Sequence, residues 1–141
     1  MKVIIEIAKS HEGNIEKARD AISTAAFHGF WAVKFQSYDL DDLNKKHPNY
    51  ERNKKCHLSI DQLEELKEYA QFMGIIFFCS AFSLSVIEPL SEFTDIIKMP
   101  STYFEWDEFY TRCAKRFGKV IISTGFQTRK KIIERHQSIC T

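Results

Sequence analysis

Five short apolar runs, polar only at or near their C-terminal ends, set the strongest limit on how this chain folds. They are Val3-Ile4-Ile5-Glu6-Ile7, Ala32-Val33-Lys34-Phe35, Ile75-Ile76-Phe77-Phe78-Cys79, Ile96-Ile97-Lys98-Met99 and Val120-Ile121-Ile122-Ser123. A half-solvated antiparallel strand alternates apolar and polar residues, whereas a parallel strand covered on both faces does not. These runs do not alternate. Each is separated from the next by a segment of helical period, so the chain reads as α/β with a parallel sheet.

Ile15, Ala18, Ile22, Ala25 and Ala26 form one stripe, which predicts a helix over 15–27. Ser59 and Gln62 have capping-box spacing ahead of Leu63, Leu66, Ala70 and Met73. Trp106, Phe109, Tyr110, Cys113 and Phe117 make a third stripe. Gly29, Gly74 and Gly118 each follow a stripe, where a left-handed glycine commonly ends a helix. The segment 84–93 is a weaker helix because Pro89 lacks a backbone donor. A last helix starts near Thr128 and is expected to carry Ile132, Ile133 and His136 on one face. The stretch 37–57 is long, polar and irregular; such loops are either functional or solvated excursions.

At 141 residues, with no Pro/Gly/Ser-rich linker, the chain reads as one domain over 1–141. Twenty Lys and Arg against 19 Asp and Glu leave a net charge of +1, which argues against a dedicated nucleic-acid or anionic-membrane binder. No apolar run is long enough to span a bilayer, and the N-terminus reads as a strand without the features of a signal peptide. Cys56, Cys79, Cys113 and Cys140 include no CxxC pair, so reduced thiols and a cytoplasmic location are expected.

The polar residues that end the apolar runs are Glu6, Lys34 with Gln36, Ser80, Lys98 with Ser101, and Ser123 with Thr124. Residues two apart on a strand share a face, so Lys34 and Gln36 project together. An unpaired lysine in an apolar interior costs several kcal/mol. Two such lysines at equivalent strand ends point to an anionic ligand; the alternative is a salt bridge from them to Glu6 or Asp95. Ligand sites in open α/β sheets and in (β/α) barrels lie at these carboxyl ends. No GxGxxG, GxxxxGK[ST] or GxSxG occurs, which removes support for a dinucleotide site, a P-loop or a nucleophile elbow. Among five histidines none has HxxxH spacing; His11 follows the first strand, within reach of the site mouth, and His28 reads as a helix-end residue.

Five blocks together resemble sialic acid synthase: Glu6-Ile7-Ala8-Lys9-Ser10-His11-Glu12-Gly13, Ala32-Val33-Lys34-Phe35-Gln36, Phe78-Cys79-Ser80-Ala81-Phe82, Ile97-Lys98-Met99-Pro100-Ser101 and Ile122-Ser123-Thr124-Gly125. The resemblance implies a (β/α)8 TIM barrel of which these are the first five strands, and condensation of phosphoenolpyruvate with N-acetylmannosamine or a related amino sugar, with release of phosphate. It implies that Lys34, Ser80, Lys98, Ser101 and Ser123 hold phosphoenolpyruvate, that Gln36 lies near the substrates, and that Glu6 acts as a carboxylate at the amino sugar. His11, from its place after the first strand, is taken as a further substrate-binding candidate. A divalent metal, Mn or Mg, is implied as well, but its histidine ligands lie on later strands that these residues do not include. Ala8 and Ser10 stand where the family has glycine and asparagine, Ser80-Ala81 where it has Thr-Pro, and Thr102-Tyr103 where an acidic residue is expected.

A (β/α)8 barrel needs about 250 residues. The expectation is therefore a partial barrel, without its C-terminal half and without an antifreeze-like domain. Two functions stay open: the phosphoenolpyruvate-dependent synthase, inactive as this chain alone, or a non-catalytic anion-binding or assembly module. Unpaired sheet edges and an uncovered inner face, with Ile4, Ala32, Phe77, Ile96 and Ile121 as candidate patch residues, lead to an expected homo-oligomer, most simply a dimer. The alternative is a last helix folded across that inner face.

Overall fold

In the computed structural model, which describes residues 1–139 with the side chains of His136, Ser138 and Ile139 left out, each apolar run is a strand. The order along the chain is β1 (Ile4–Glu6), α1 (Ile15–Phe27), β2 (Ala32–Ser37), α2 (Tyr50–Lys55), α3 (Ile60–Phe72), β3 (Ile76–Ala81), α4 (Ile87–Ser91), β4 (Ile96–Met99), α5 (Asp107–Arg116), β5 (Lys119–Ile122) and α6 (Arg129–Ile139). The sheet is parallel throughout, in the order β1-β2-β3-β4-β5. This is α/β architecture of incomplete TIM-barrel type. Among the described residues no helix is long and apolar enough to cross a membrane.

Register sorts the strand residues into two faces. Val33, Phe35, Phe77, Cys79, Ile97 and Met99 are buried against Ala18, Ile22, Leu63, Leu66, Leu90, Phe109 and Cys113 of the helices. Fully burying one such Leu, Ile or Phe contributes about 1.5–3 kcal/mol, so this layer holds the unit together. The other face carries Glu6, Lys34, Phe78, Ser80, Lys98 and Ile121, which are register partners across the sheet. Phe77 thus lies on the helix side, and Ala32 is fully buried; neither belongs to an exposed inner patch. Ile4 is 38% exposed.

The predicted helix ends are mostly observed. Ser59 and Gln62 form a reciprocal capping box, and Gly29 and Gly74 take left-handed φ angles of 70° and 74°. Gly118 has a different reason to be glycine. A Cβ there would lie 2.4 Å from an Asp95 carboxylate oxygen, which instead accepts the Gly118 N–H at 2.9 Å. Pro89 confines α4 to five residues after a single 3-10 turn at Leu84–Val86. Residues 50–55 of the long stretch fold into α2.

The final helix packs on the outside. Lys131 pairs with Glu105, Arg135 pairs with Asp107, and the Arg135 guanidinium lies 4.6 Å from the centroid of Tyr110, which is buried in the helix-side core. It does not cross the inner face. Ile132 turns toward α5 and β5, while Ile133 is 46% exposed, so the expected shared apolar face is not formed. The side chain of His136 and all of Cys140 lie outside the described residues.

The loop after β1 holds an alanine in the left-handed region, with φ 48° at Ala8. That conformation costs an L-residue about 1–2 kcal/mol. Glycine would avoid this cost but lose about 0.4–1 kcal/mol through the extra freedom of its unfolded chain. Ala8→Gly is therefore expected to stabilise the chain by roughly 0.5–1 kcal/mol, read as a higher urea midpoint at unchanged slope. A lower midpoint would show that the loop tolerates the alanine without strain.

Candidate functional site

The inner-face residues converge where the strands end. Register sets Glu6 beside Lys34, Gln36 beside Ser80, and Ser80 beside Lys98. Lys34 is 5% exposed; its Nζ donates to Ser80 Oγ at 2.8 Å and forms an ion pair with Glu6. The other Glu6 oxygen accepts the Ala8 N–H at 3.1 Å, so the β1 loop fixes the carboxylate that faces Lys34.

The salt-bridge alternative is thus realised for Lys34, with Glu6 as its partner; Asp95 is instead bonded to the Gly118 amide. It does not account for Lys98. Half-buried on the same face, Lys98 makes no hydrogen bond or ion pair among the described residues. Burial depresses its pKa below the ordinary lysine value and the Lys34 charge adds to that, while Glu6 opposes. Two ammonium groups against one carboxylate leave one positive charge over at the strand ends. That surplus favours an anion.

Ser101 opens a 3-10 turn after β4, and Ser123 follows β5, its amide donating to Met99 O at 3.2 Å. Gly125 packs against Ser101, since a Cβ there would sit 3.6 Å from Ser101 Oγ. The structure therefore brings Glu6, Lys34, Ser80 and Lys98 together and draws the loops bearing Ser101 and Ser123 against each other. Gln36 adjoins the cluster through Ser80. His11 is not brought in. Its Nε2 bonds Ala8 O at 3.1 Å, its Nδ1 accepts the Gly13 N–H at 3.0 Å, and its ring packs on Phe35, on the helix side of β2. Burial lowers its pKa, so it is a neutral residue that holds the β1 loop in shape.

Beside the cluster a cavity of about 270 Å³ is lined by Gln36, Lys9, Tyr38, Asn53, Phe82 and Tyr103, with residues 42–50 of the long stretch closing one side. Tyr38 donates to Asn53 O at 2.6 Å, and Tyr103 donates to Phe82 O at 2.8 Å. Burial pushes the Tyr38 phenol up to about 12; burial and the Asp42 charge raise that of Tyr103. Both therefore remain donors at neutral pH. Asp39 anchors the loop, its amide donating to Ser83 Oγ and its carboxylate accepting from Ser85. Only the length and polarity of 37–57 signalled this cavity; Lys9, Asn53 and Tyr103 meet through tertiary packing.

The donor set does not fit a divalent metal. Among the described residues no group of three or more His, Cys, Asp or Glu side chains is placed to hold one, and both His11 nitrogens are engaged by backbone.

The family model that matches this chain is that of the NeuB family, over residues 21–139. An uncharacterized protein of Methanocaldococcus jannaschii is 32% identical over 134 residues, covering 94% of this chain and 40% of its own length. The N-acetylneuraminate-9-phosphate synthase of Mus musculus is 29% identical over 152 residues, covering 97% of this chain and 42% of its own. A crystal structure of N-acetylneuraminic acid synthetase from Leptospira borgpetersenii, in complex with citrate, superposes with a TM-score of 0.85 at 26% identity, over 96% of this chain and 48% of that one. The chain thus spans about two fifths to one half of the proteins it matches. With a family match across most of its length, the chain belongs to the NeuB family.

Proposed function

We propose that this chain carries the phosphoenolpyruvate-holding part of a sialic-acid-synthase-type site. The observation that carries the reading is Lys98, an unpaired ammonium beside the Lys34–Glu6–Ser80 group. Lys34 and Lys98 supply charge for the phosphate and carboxylate of phosphoenolpyruvate, and the hydroxyls of Ser80, Ser101 and Ser123 supply donors. Gln36 lies between this group and the cavity that would take the amino sugar, N-acetylmannosamine or a relative. In the proposed reaction the methylene carbon of phosphoenolpyruvate bonds to the aldehyde carbon of the open-chain sugar, whose oxygen becomes a hydroxyl by taking a proton. Water adds at the neighbouring phosphate-bearing carbon, and that carbon's C–O bond to phosphate breaks, leaving a ketone and free phosphate. Glu6, held by Lys34 and the Ala8 amide, acts as a carboxylate toward the sugar and orients Lys34. The family's divalent metal finds no donor set among the described residues, so no step is assigned to it.

That misfit favours one second reading, an anion-binding module without turnover. Calorimetry with phosphoenolpyruvate and a phosphate-release assay with N-acetylmannosamine and manganese test both. Saturable binding without turnover by this chain alone is the expected result. Absence of binding overturns the site, and formation of a nine-carbon 3-deoxy-ulosonic acid overturns the expected inactivity. The reading places the chain in the cytoplasm, which suits the buried free thiols of Cys56, Cys79 and Cys113. It also includes two-fold self-association through the edges of β1 and β5, each of which has one neighbouring strand among the described residues. Light scattering should then give twice the 16.5 kDa chain mass; a monomer at micromolar concentration excludes it.

A further inference from the structure

Lys9 is a different kind of lysine from Lys34. It lies in the cavity wall, half-buried, and its two contacts are neutral: the Asn53 side-chain oxygen, and the Tyr38 ring with its centroid 5.8 Å away. No carboxylate pairs with it among the described residues. Asp42 lies in the same cavity wall but acts on Tyr103, and the charged neighbour felt at Lys9 is Arg52, of like sign. Burial depresses the Lys9 pKa and Arg52 adds to that, while Cys56 acts the other way.

The rest of the wall already suits a neutral polyol. Gln36, Asn44 and Asn53 offer amides, and Tyr38, Tyr50 and Phe82 offer flat apolar surface. A neutral sugar needs no ammonium, and holding one half-buried without a counter-charge costs stability. The cavity, about 270 Å³, is on the scale of a single sugar ring. Gln36 pairs in register with Ser80 on one side, whereas Lys9 projects from the loop after β1. An occupant that touches both spans from the anion cluster to a second positive charge.

We propose that Lys9 is a specificity residue that selects an acceptor sugar bearing a phosphate monoester over its neutral counterpart. This rests on the reading that the cavity takes the acceptor. The phosphate would replace the missing counter-charge and accept a charge-assisted hydrogen bond from Nζ.

The test is calorimetry on the full chain with phosphoenolpyruvate at saturation, which fills the Lys34/Lys98 cluster and keeps sugar phosphates out of it. N-acetylmannosamine and its 6-phosphate are titrated into the wild type, Lys9→Gln and Lys9→Arg. The wild type should bind the phosphorylated sugar about tenfold tighter or more, the effect of one charge-assisted hydrogen bond. Lys9→Gln should abolish that preference while leaving the affinity for phosphoenolpyruvate unchanged, and Lys9→Arg should keep most of it. A preference that survives in Lys9→Gln, its absence in the wild type, or failure of both sugars to bind overturns the assignment. Normal phosphoenolpyruvate binding with no sugar preference removes the role of Lys9 alone. A Lys9-dependent preference in a chain that binds no phosphoenolpyruvate supports Lys9 and removes the reading of the strand-end cluster.

Discussion

Replacing Lys34 and Lys98 together by methionine is expected to remove phosphoenolpyruvate binding from the chain. A hydrogen bond to a charged group contributes about 1.5–3 kcal/mol, so losing two weakens binding by about 10²- to 10⁴-fold. The single variants separate binding from folding. Among the described residues Lys98 has no partner, and its charge is disfavoured by burial and by Lys34, so Lys98→Met should cost no stability while weakening the anion site. Lys34→Met strips Glu6 of its partner, but that carboxylate is 47% exposed and regains water. Its cost should be about 1–2 kcal/mol, below the 3–5 kcal/mol of breaking a fully buried pair. The pH dependence has opposite signs for folding and binding. The folded pKa of Lys98 lies below the ordinary 10.5, so the unfolded chain holds more protons in the window just under that value, and stability rises with pH there. Binding needs the ammonium and falls across the same window. A double variant that binds phosphoenolpyruvate like the wild type removes the proposed site.

Gly13→Ala is expected to be the most damaging single methyl in the chain. Gly13 has φ 78°, and a Cβ on it would lie 2.1 Å from the carbonyl oxygen of Lys55 at the end of α2. The left-handed backbone costs alanine about 1–2 kcal/mol, and overpacking against backbone adds about 1–3 kcal/mol. The reduced freedom of the unfolded chain returns about 0.4–1 kcal/mol. The net loss of about 2–4 kcal/mol is a large part of the 5–15 kcal/mol typical of a domain. It should lower Tm by roughly 5–15 °C. The damage should also reach the cavity. That end of α2 is tied in by the Lys9–Asn53 contact and by the Tyr38 hydrogen bond to Asn53 O. An unchanged Tm would mean that the β1 loop and α2 do not touch in solution.

How much of this was legible beforehand depends on how local each cause is. The five strands, their parallel sense and helices α1, α3 and α5 follow from the period of apolar residues, because burying a stripe is a demand each segment makes by itself. The capping box at Ser59 is equally local. Lys34, Ser80 and Lys98 could be placed on one face because strand parity is fixed by covalent geometry; their hydrogen bond and the Glu6 pair then needed only register.

Where the outcome depended on what lies opposite, sequence reasoning stopped short. Gly118 looks like a helix-ending glycine, yet it is Asp95, 23 residues away, that excludes a side chain. Phe77 differs from Phe78 only by parity counted from the observed register, which sends one to the helices and the other to the inner face. His11 adjoins the strand-end blocks in sequence, but the left-handed turn at Ala8 lets the loop's own backbone engage both its nitrogens. Lys9, Tyr38, Asn53 and Tyr103 come from separate segments whose meeting point no periodicity encodes. The sequence by itself determined the strands, the helix stripes and the charge at the strand ends, because apolar period and strand parity are properties of each segment alone. Only the tertiary structure decided which lysine is neutralised and which is left to meet an anion, because that depends on groups brought together across the sheet.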